Sequence, residues 1–323
     1  MFLIMRKGFF LFFFFFIFLT YGDDWWNESW HYRGIIEIPS VNFERENFPI
    51  EININFSKIF SFLNIKGNLD INSIRIIENN KEVPYSINKI DEGRFTIEWI
   101  MEGKTLENQI RKYEIYFDTI ENGRKTRPLY KILPSSNLII NGSFEDGNQW
   151  PIGWTGKELE NDELVIKWDK EQFHTGKKSI YLERKTLGIV NTQITSPIII
   201  YPSYKYIFEY WSKTSKYKIG SAEREGGSLG IGFAIYYDNE KKCLGQIGLP
   251  GGNKQKEEWE KFRTICSFPL NARYVVIQIE IWKGIGSVYF DDIIFKPDLN
   301  LKLEKVQEKG KEIREIREKE WFE

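Results

Sequence analysis

In a chain of 323 residues, 45 Lys and Arg stand against 46 Asp and Glu, so no net field attracts polyanions, which argues against nucleic acid and anionic membrane surfaces as partners. With only two histidines there is no material for a His-rich zinc site and little for a Ser-His-Asp triad. Aromatic residues make up 16% of the chain, with 11 Trp and 16 Tyr, more than two cores require, so some are expected to face a ligand.

The chain opens with Arg6 and Lys7 before the apolar run Phe9–Leu19. A basic start followed by a short apolar stretch reads as a secretory signal over residues 1–22. The run is short of the ~20 residues of a spanning helix, and an uncleaved anchor is the alternative. Either way the remainder is expected to be secreted or at the cell surface, with no integral membrane domain after cleavage.

Residues 23–130 alternate with period two, as in Ile50-Glu51-Ile52-Asn53-Ile54 and Phe95-Thr96-Ile97-Glu98-Trp99, the pattern of short half-buried strands. A first β-sandwich is expected there. Turn-forming punctuation from Glu121-Asn122-Gly123 to Pro134-Ser135-Ser136 marks a boundary. Residues 131–298 supply a second set of strands without a long helix between them, which predicts an antiparallel sandwich or jelly roll. The fold class is therefore all-β, two tandem sandwiches. After Pro297 the composition turns charged, and Leu303, Val306, Ile313 and Ile316 are spaced for a helix, so 299–323 reads as a charged helical tail that could meet a protein partner. Cys243 and Cys266 either close one disulfide or remain buried thiols in adjacent strands.

In the second domain, Asn141-Gly142-Ser143-Phe144-Glu145 is followed by Pro151-Ile152-Gly153-Trp154, His174-Thr175-Gly176-Lys177-Lys178-Ser179 and Val288-Tyr289-Phe290-Asp291-Asp292-Ile293. In that order, over roughly 137–296, they resemble the calcium-stabilised jelly-roll carbohydrate-binding modules associated with xylanases and β-glucanases, a galactose-binding-like architecture. The resemblance implies a structural Ca2+ held by the carboxylates of Glu145 and Asp291 and by carbonyls of the Gly176–Lys178 turn. In a regular strand Asp292 faces away from Asp291, so one of the two is expected to be a ligand. The opening Trp26-Asn27-Glu28-Ser29-Trp30-His31-Tyr32-Arg33 resembles an uncharacterised β-sandwich module of prokaryotic surface proteins. Its tryptophans are expected to pack over the sheet edge with Arg33 stacked on one.

Strand parity offers a ligand face. Val275, Ile277, Ile279 and Ile281 form one row, leaving Gln278, Glu280 and Trp282 opposite; Tyr206, Phe208 and Tyr210 leave Glu209 and Trp211 opposite; and Ile231, Phe233, Ile235 and Tyr237 leave Gly232, Ala234 and Tyr236. A sugar ring has an apolar C–H face and a fringe of hydroxyls, so flat aromatics interleaved with carboxylates and amides suit it. The expected glycan-binding set is thus Glu209, Trp211, Tyr236, Gln278, Glu280 and Trp282, in a non-catalytic polysaccharide-binding protein. The alternative is a structural or adhesive surface protein. A glycoside hydrolase needs two carboxyls about 5–10 Å apart, and Glu209 with Glu280 is the cross-strand pair to test.

Overall fold

The structure, a computed structural model, describes residues 25–217, 228–251 and 258–316. The export signal expected at 1–22 and the last residues of the expected tail lie outside the described residues. The fold is all-β, and among the described residues no helix is long and apolar enough to cross a membrane.

Strands β1 (Tyr32–Ile38), β2 (Arg45–Asn55), β3 (Arg75–Glu78), β4 (Lys81–Val83), β5 (Tyr85–Asp91), β6 (Arg94–Thr105) and β7 (Arg111–Phe117) build the first sandwich. Sheet β2-β6-β5 packs on a sheet containing β1-β7-β3-β4. Alternation works here as in the sequence: Ile50, Ile52 and Ile54 of β2 and Phe95, Ile97, Trp99 and Met101 of β6 are buried in one core. A short helix, α1 (Phe56–Leu63), starts where the Asn55 side chain accepts from the Lys58 amide and stops at Asn64 in the left-handed region. At the N-terminus Trp30 is buried and Trp25 carries the Arg33 guanidinium 4.7 Å above its ring. The expected cation–aromatic stack is present, on Trp25 rather than Trp26 or Trp30.

The second unit comprises β8 (Leu159–Glu160), β9 (Leu164–Asp169), β10 (Ser179–Gln193), β11 (Ile198–Ile199), β12 (Lys205–Tyr217), β13 (Ser228–Tyr237), β14 (Cys243–Pro250), β15 (Glu260–Cys266) and β16 (Tyr274–Asp298). Two long strands, β10 and β16, serve both layers. The first half of β16 pairs with β13 and with Val190–Gln193 of β10, whereas its second half pairs with β12 and with Ile180–Arg184. The change of layer falls at Gly188 opposite Gly284 and at Gly286, where a Cβ would lie 2.4 Å from the Lys216 carbonyl oxygen. The result is a sandwich of a β14-β13-β16-β10 layer and a β15-β12-β16-β10-β9-β8 layer, with Phe208, Tyr210, Ile277, Ile279, Val288 and Phe290 fully buried between them.

The C-terminal segment corrects the expected helical tail. Residues 299–316 hold β17 (Lys305–Glu308) and β18 (Arg314–Glu315) and return to the first sandwich, β17 pairing antiparallel with β1. Leu303 and Val306 are buried in the first core, and a Cβ on Gly34 would meet Leu303 Cδ2 at 2.6 Å. The edge of β1 left open by β7 supplies backbone partners and an apolar seat, and that tertiary demand overrides a helix-like spacing. The jelly roll is thus inserted between β7 and β17, and no C-terminal helix is available in 299–316 to meet a partner. The insertion is fastened to its host by Arg45 donating to the Tyr204 hydroxyl (2.7 Å), by Phe48 stacked on Tyr204 (5.1 Å) and by Lys296 paired with Glu51 (2.6 Å). Cys243 is exposed on β14 and Cys266 buried on β15, both as free thiols, and β14 pairs with β13 while β15 pairs with β12, so neither the disulfide nor a pair of buried thiols in adjacent strands is found.

Candidate functional site

Glu145 and Asp291, two of the residues expected to hold calcium, both bind the 174–178 turn, and they do so through its amide N–H groups. Glu145 Oε1 accepts from the amides of Lys177 (2.8 Å) and Lys178 (2.9 Å), and Asp291 Oδ2 accepts from those of His174 (2.8 Å) and Thr175 (3.1 Å). The 174–178 turn therefore ties the start of the jelly roll to its last strand. Gly176 has a positive φ of 67° and lies so close to Glu145 that a Cβ would sit 2.3 Å from Oε1, which requires glycine. Asp292 departs from the parity expectation. Its φ of 48° breaks the regular strand, so its carboxylate also reaches the turn, accepting from Thr175 Oγ1 (2.7 Å) and meeting His174 Nδ1 (2.6 Å). Burial, then the neighbouring Asp292 charge, pushes the Asp291 carboxyl up to about 7. A fully enclosed acid beside a second acid is costly, and here amide N–H groups of His174, Thr175 and Asp292 offset part of that cost by donating to the Asp291 carboxylate. Among the described residues no group of three or more His, Cys, Asp or Glu side chains is gathered for a metal, so backbone oxygens would have to complete any coordination.

The six expected sugar-binding residues do not share one surface. Gln278, Glu280 and Trp282 lie on the outer face of the β14-β13-β16-β10 layer, because Ile277, Ile279 and Ile281 fill the core. Glu209 and Trp211 lie on the outer face of the other layer, because Phe208 and Tyr210 fill the core from that side. Glu209 is engaged by Lys261 (2.8 Å) and Arg263 (3.5 Å). The core thus separates Glu209 from Glu280, and the two cannot flank one glycosidic bond. Tyr236 is a further correction: from Gly232 to Tyr236 β13 has the opposite parity from that expected, with Ala234 and Tyr236 packed on the core, while Tyr237, past a register shift, packs on it as expected. The reason is volume. A Cβ on Gly232 would stand 2.6 Å from Phe208 Cζ and 2.7 Å from Tyr210 Cε1, so the large rings of β12 require the small row of β13 opposite them. Ile231, Phe233 and Ile235 consequently face outward, paired with Glu280, Gln278 and Val276.

That outer face carries the polar arrangement of most interest. Glu280 is only 1% exposed. Its Oε2 accepts from Gln278 Nε2 (2.5 Å) and, at 3.5 Å, from Asn191 Nδ2 of the neighbouring β10. Its Oε1 is buried with no hydrogen-bond partner among the described residues, and so is the hydroxyl of Ser228, which pairs across the strands with Trp282. Burial, partly offset by the Gln278 and Asn191 donors, raises the Glu280 carboxyl to about 7. Trp282, half-buried, meets Phe233 edge-on at 6.2 Å. A carboxylate oxygen and a hydroxyl, both buried and without a partner among the described residues, lie on one sheet face with two side-chain amides and a half-buried indole; a sugar's hydroxyl fringe and C–H face call for such groups once they are uncovered. Asn191, Ser228 and Phe233 were not among the expected site residues.

No protein-family model and no curated protein matches the chain. Among solved structures it is similar to the CBM22-1 xylan-binding domain of Xyn10C from Paenibacillus barcinonensis, at 14% identity over 48% of this chain and 91% of that one, TM-score 0.34. A second carbohydrate-binding module of family 16 aligns at 17% identity over 49% and 99%, TM-score 0.35. The active domain of bacteriophage CBA120 tailspike protein 4 aligns at 16% identity over 50% of this chain and 22% of that chain, TM-score 0.38. This chain therefore spans about a fifth of that tailspike's length.

Proposed function

We infer that the chain is an exported, non-catalytic glycan-binding protein that holds polysaccharide on the outer face of the β14-β13-β16-β10 layer. The observation that carries this is Glu280, a buried acid with one oxygen satisfied by amides and the other buried without a partner among the described residues, two positions before Trp282 on the same strand face. A buried acceptor without a partner costs about 1–3 kcal/mol, a cost that a sugar hydroxyl donating to Oε1 would recover once the side chains covering it move aside. Trp282 would meet the C–H face. With Glu209 across the core, the cross-strand pair Glu209 and Glu280 is split between the two faces, which among the described residues favours holding over cleaving. The Arg6-Lys7 and Phe9–Leu19 start supports export. A structural calcium belongs to this reading: Glu145 and Asp291, with carbonyls of Gly176 and Lys178, would hold it and fasten the two ends of the jelly roll.

Affinity electrophoresis in gels containing xylan, mixed-linkage β-glucan or galactan tests the function. Retardation is expected in at least one gel, weakened by Trp282→Ala and by Glu280→Gln, each by roughly tenfold in affinity, equivalent to about 1.4 kcal/mol. Free migration in every gel, or variants retarded like the parent, would contradict it. For the metal, calcium at a hundredfold excess over its Kd is expected to add about 2.7 kcal/mol of stability over EDTA-treated chain, and Asp291→Asn to erase the increment. Identical melting curves in calcium and EDTA would exclude the ion.

A further inference from the structure

The opposite face of the jelly roll carries a second set of rings that the Glu280 site does not use. Trp211 stacks on the His174 imidazole at 3.8 Å and 15°. His174 meets Trp259 at 5.9 Å, Trp259 meets Tyr289 at 6.3 Å, and Tyr289 meets Tyr181 at 4.7 Å. The register places Trp211, Tyr289 and Tyr181 on one side, and the ring contacts bring His174 and Trp259 to it. Trp211 pairs with Lys261 and Asp291, Lys213 with Tyr289, and Tyr181 with Tyr289, while the intervening Tyr210, Val288, Phe290, Ile180 and Leu182 are buried in the core. Trp259 precedes β15 with the parity of Lys261. Trp211, Trp259, Tyr289 and His174 are all half-buried, with part of each ring open to solvent.

We propose that this aromatic track across β15, β12, β16 and β10 is a second glycan-binding surface, for a neutral polysaccharide, which makes the jelly roll a two-faced binder. The chemistry follows from what borders the rings. Glu183 joins the Tyr181 hydroxyl (2.9 Å) to Lys216 (2.9 Å), Lys213 donates to Gln172 Oε1 (3.1 Å), and Glu209 engages Lys261 and Arg263. Lys216, Lys261 and Arg263 are drawn into pairs with Glu183 and Glu209, and Lys213 lies on the neutral Gln172 amide, so the rings rather than a field of free charge dominate what the track offers a polymer. The Tyr289 hydroxyl has no partner among the described residues and is free for a sugar hydroxyl. Platforms at successive ring contacts, flanked by donors and acceptors, suit an extended chain of pyranoses better than a compact ligand. A glycan on each face lets one protein bridge two polymer chains, and bridging raises avidity without new contacts.

The test uses the full chain and neutral oligosaccharides of xylan, mixed-linkage β-glucan and β-1,4-galactan, followed by calorimetric titration and by the turbidity of the parent polymers. Two sites per chain are expected. The double variant Trp259→Ala with Tyr289→Ala should lose one of them, weakening it tenfold or more, and should bind polymer without bridging it; Trp282→Ala should lose the other. A double variant that retains both stoichiometry and bridging overturns the track. A Trp282→Ala chain that loses nothing while the double variant loses its site overturns the Glu280 reading and leaves the track standing. Binding of the track to polygalacturonate alone, with no neutral sugar taken up there, would overturn its assignment to neutral glycans.

Discussion

Cutting the chain after Asp298 is expected to unfold the first sandwich while leaving the jelly roll folded. Leu303, Val306 and Ile316 belong to the core of the first unit and to no part of the second. Burying three such side chains contributes roughly 1.5–3 kcal/mol each. Their loss, together with the β1–β17 ladder from Tyr32–Glu308 to Ile35–Lys305, is comparable with the ~5–15 kcal/mol that holds a typical domain. Leu303→Ala alone should cost about 2–5 kcal/mol. Calorimetry of the truncated chain should therefore show one transition where the full chain shows two or a merged one, and limited proteolysis should release 137–298 intact. A truncated chain with unchanged melting would show that β17 and β18 are not part of the fold's core.

Glu280→Gln is expected to stabilise the protein at neutral pH and weaken its hold on sugar, a split that a merely structural carboxylate would not produce. The sign follows from the raised carboxyl. Unfolded, the group titrates near 4.5; folded, it holds its proton to about 7. Between those values the folded state binds more protons, so the contribution of Glu280 to stability is neutral below pH 4.5, becomes increasingly unfavourable as pH rises towards 7, and is constant above. At 1.36 kcal/mol per pH unit the ceiling at pH 8 is about 3 kcal/mol. The variant should melt higher than the parent at pH 8 and together with it at pH 4. Equal melting at both values would mean that the acid is not desolvated in the folded chain.

Much of this was legible in the sequence, for identifiable reasons. In β12 and β16 one row is β-branched or aromatic and the other polar, so parity assigned Tyr206, Phe208 and Tyr210, and Val275, Ile277, Ile279 and Ile281, to the core. In β13 both rows are apolar, and the choice between them is made by the partner layer: the rings of Phe208 and Tyr210 leave room only for Gly232 and Ala234. Parity also says which side of a strand a residue takes but not which layer the strand is in. Because β16 runs through both layers, Trp282 and Trp211 emerged on opposite faces of the sandwich rather than in one groove. Asp292 escaped because regular alternation was assumed where φ is positive. The tail escaped because Leu303, Val306, Ile313 and Ile316 satisfy a helical spacing, and the open edge of β1 that recruits them as strand and loop is a property of the folded partner alone.

The claim that sugar is held at the Glu280 face is tested most directly by following backbone, side-chain amide and indole resonances during titration with an oligosaccharide that retards the chain in gels. Shifts centred on the Asn191 and Gln278 side-chain amides and the Trp282 indole are the expected result. Shifts confined to the first sandwich, around Trp25 and Trp30, with Asn191, Gln278 and Trp282 unmoved, would contradict it.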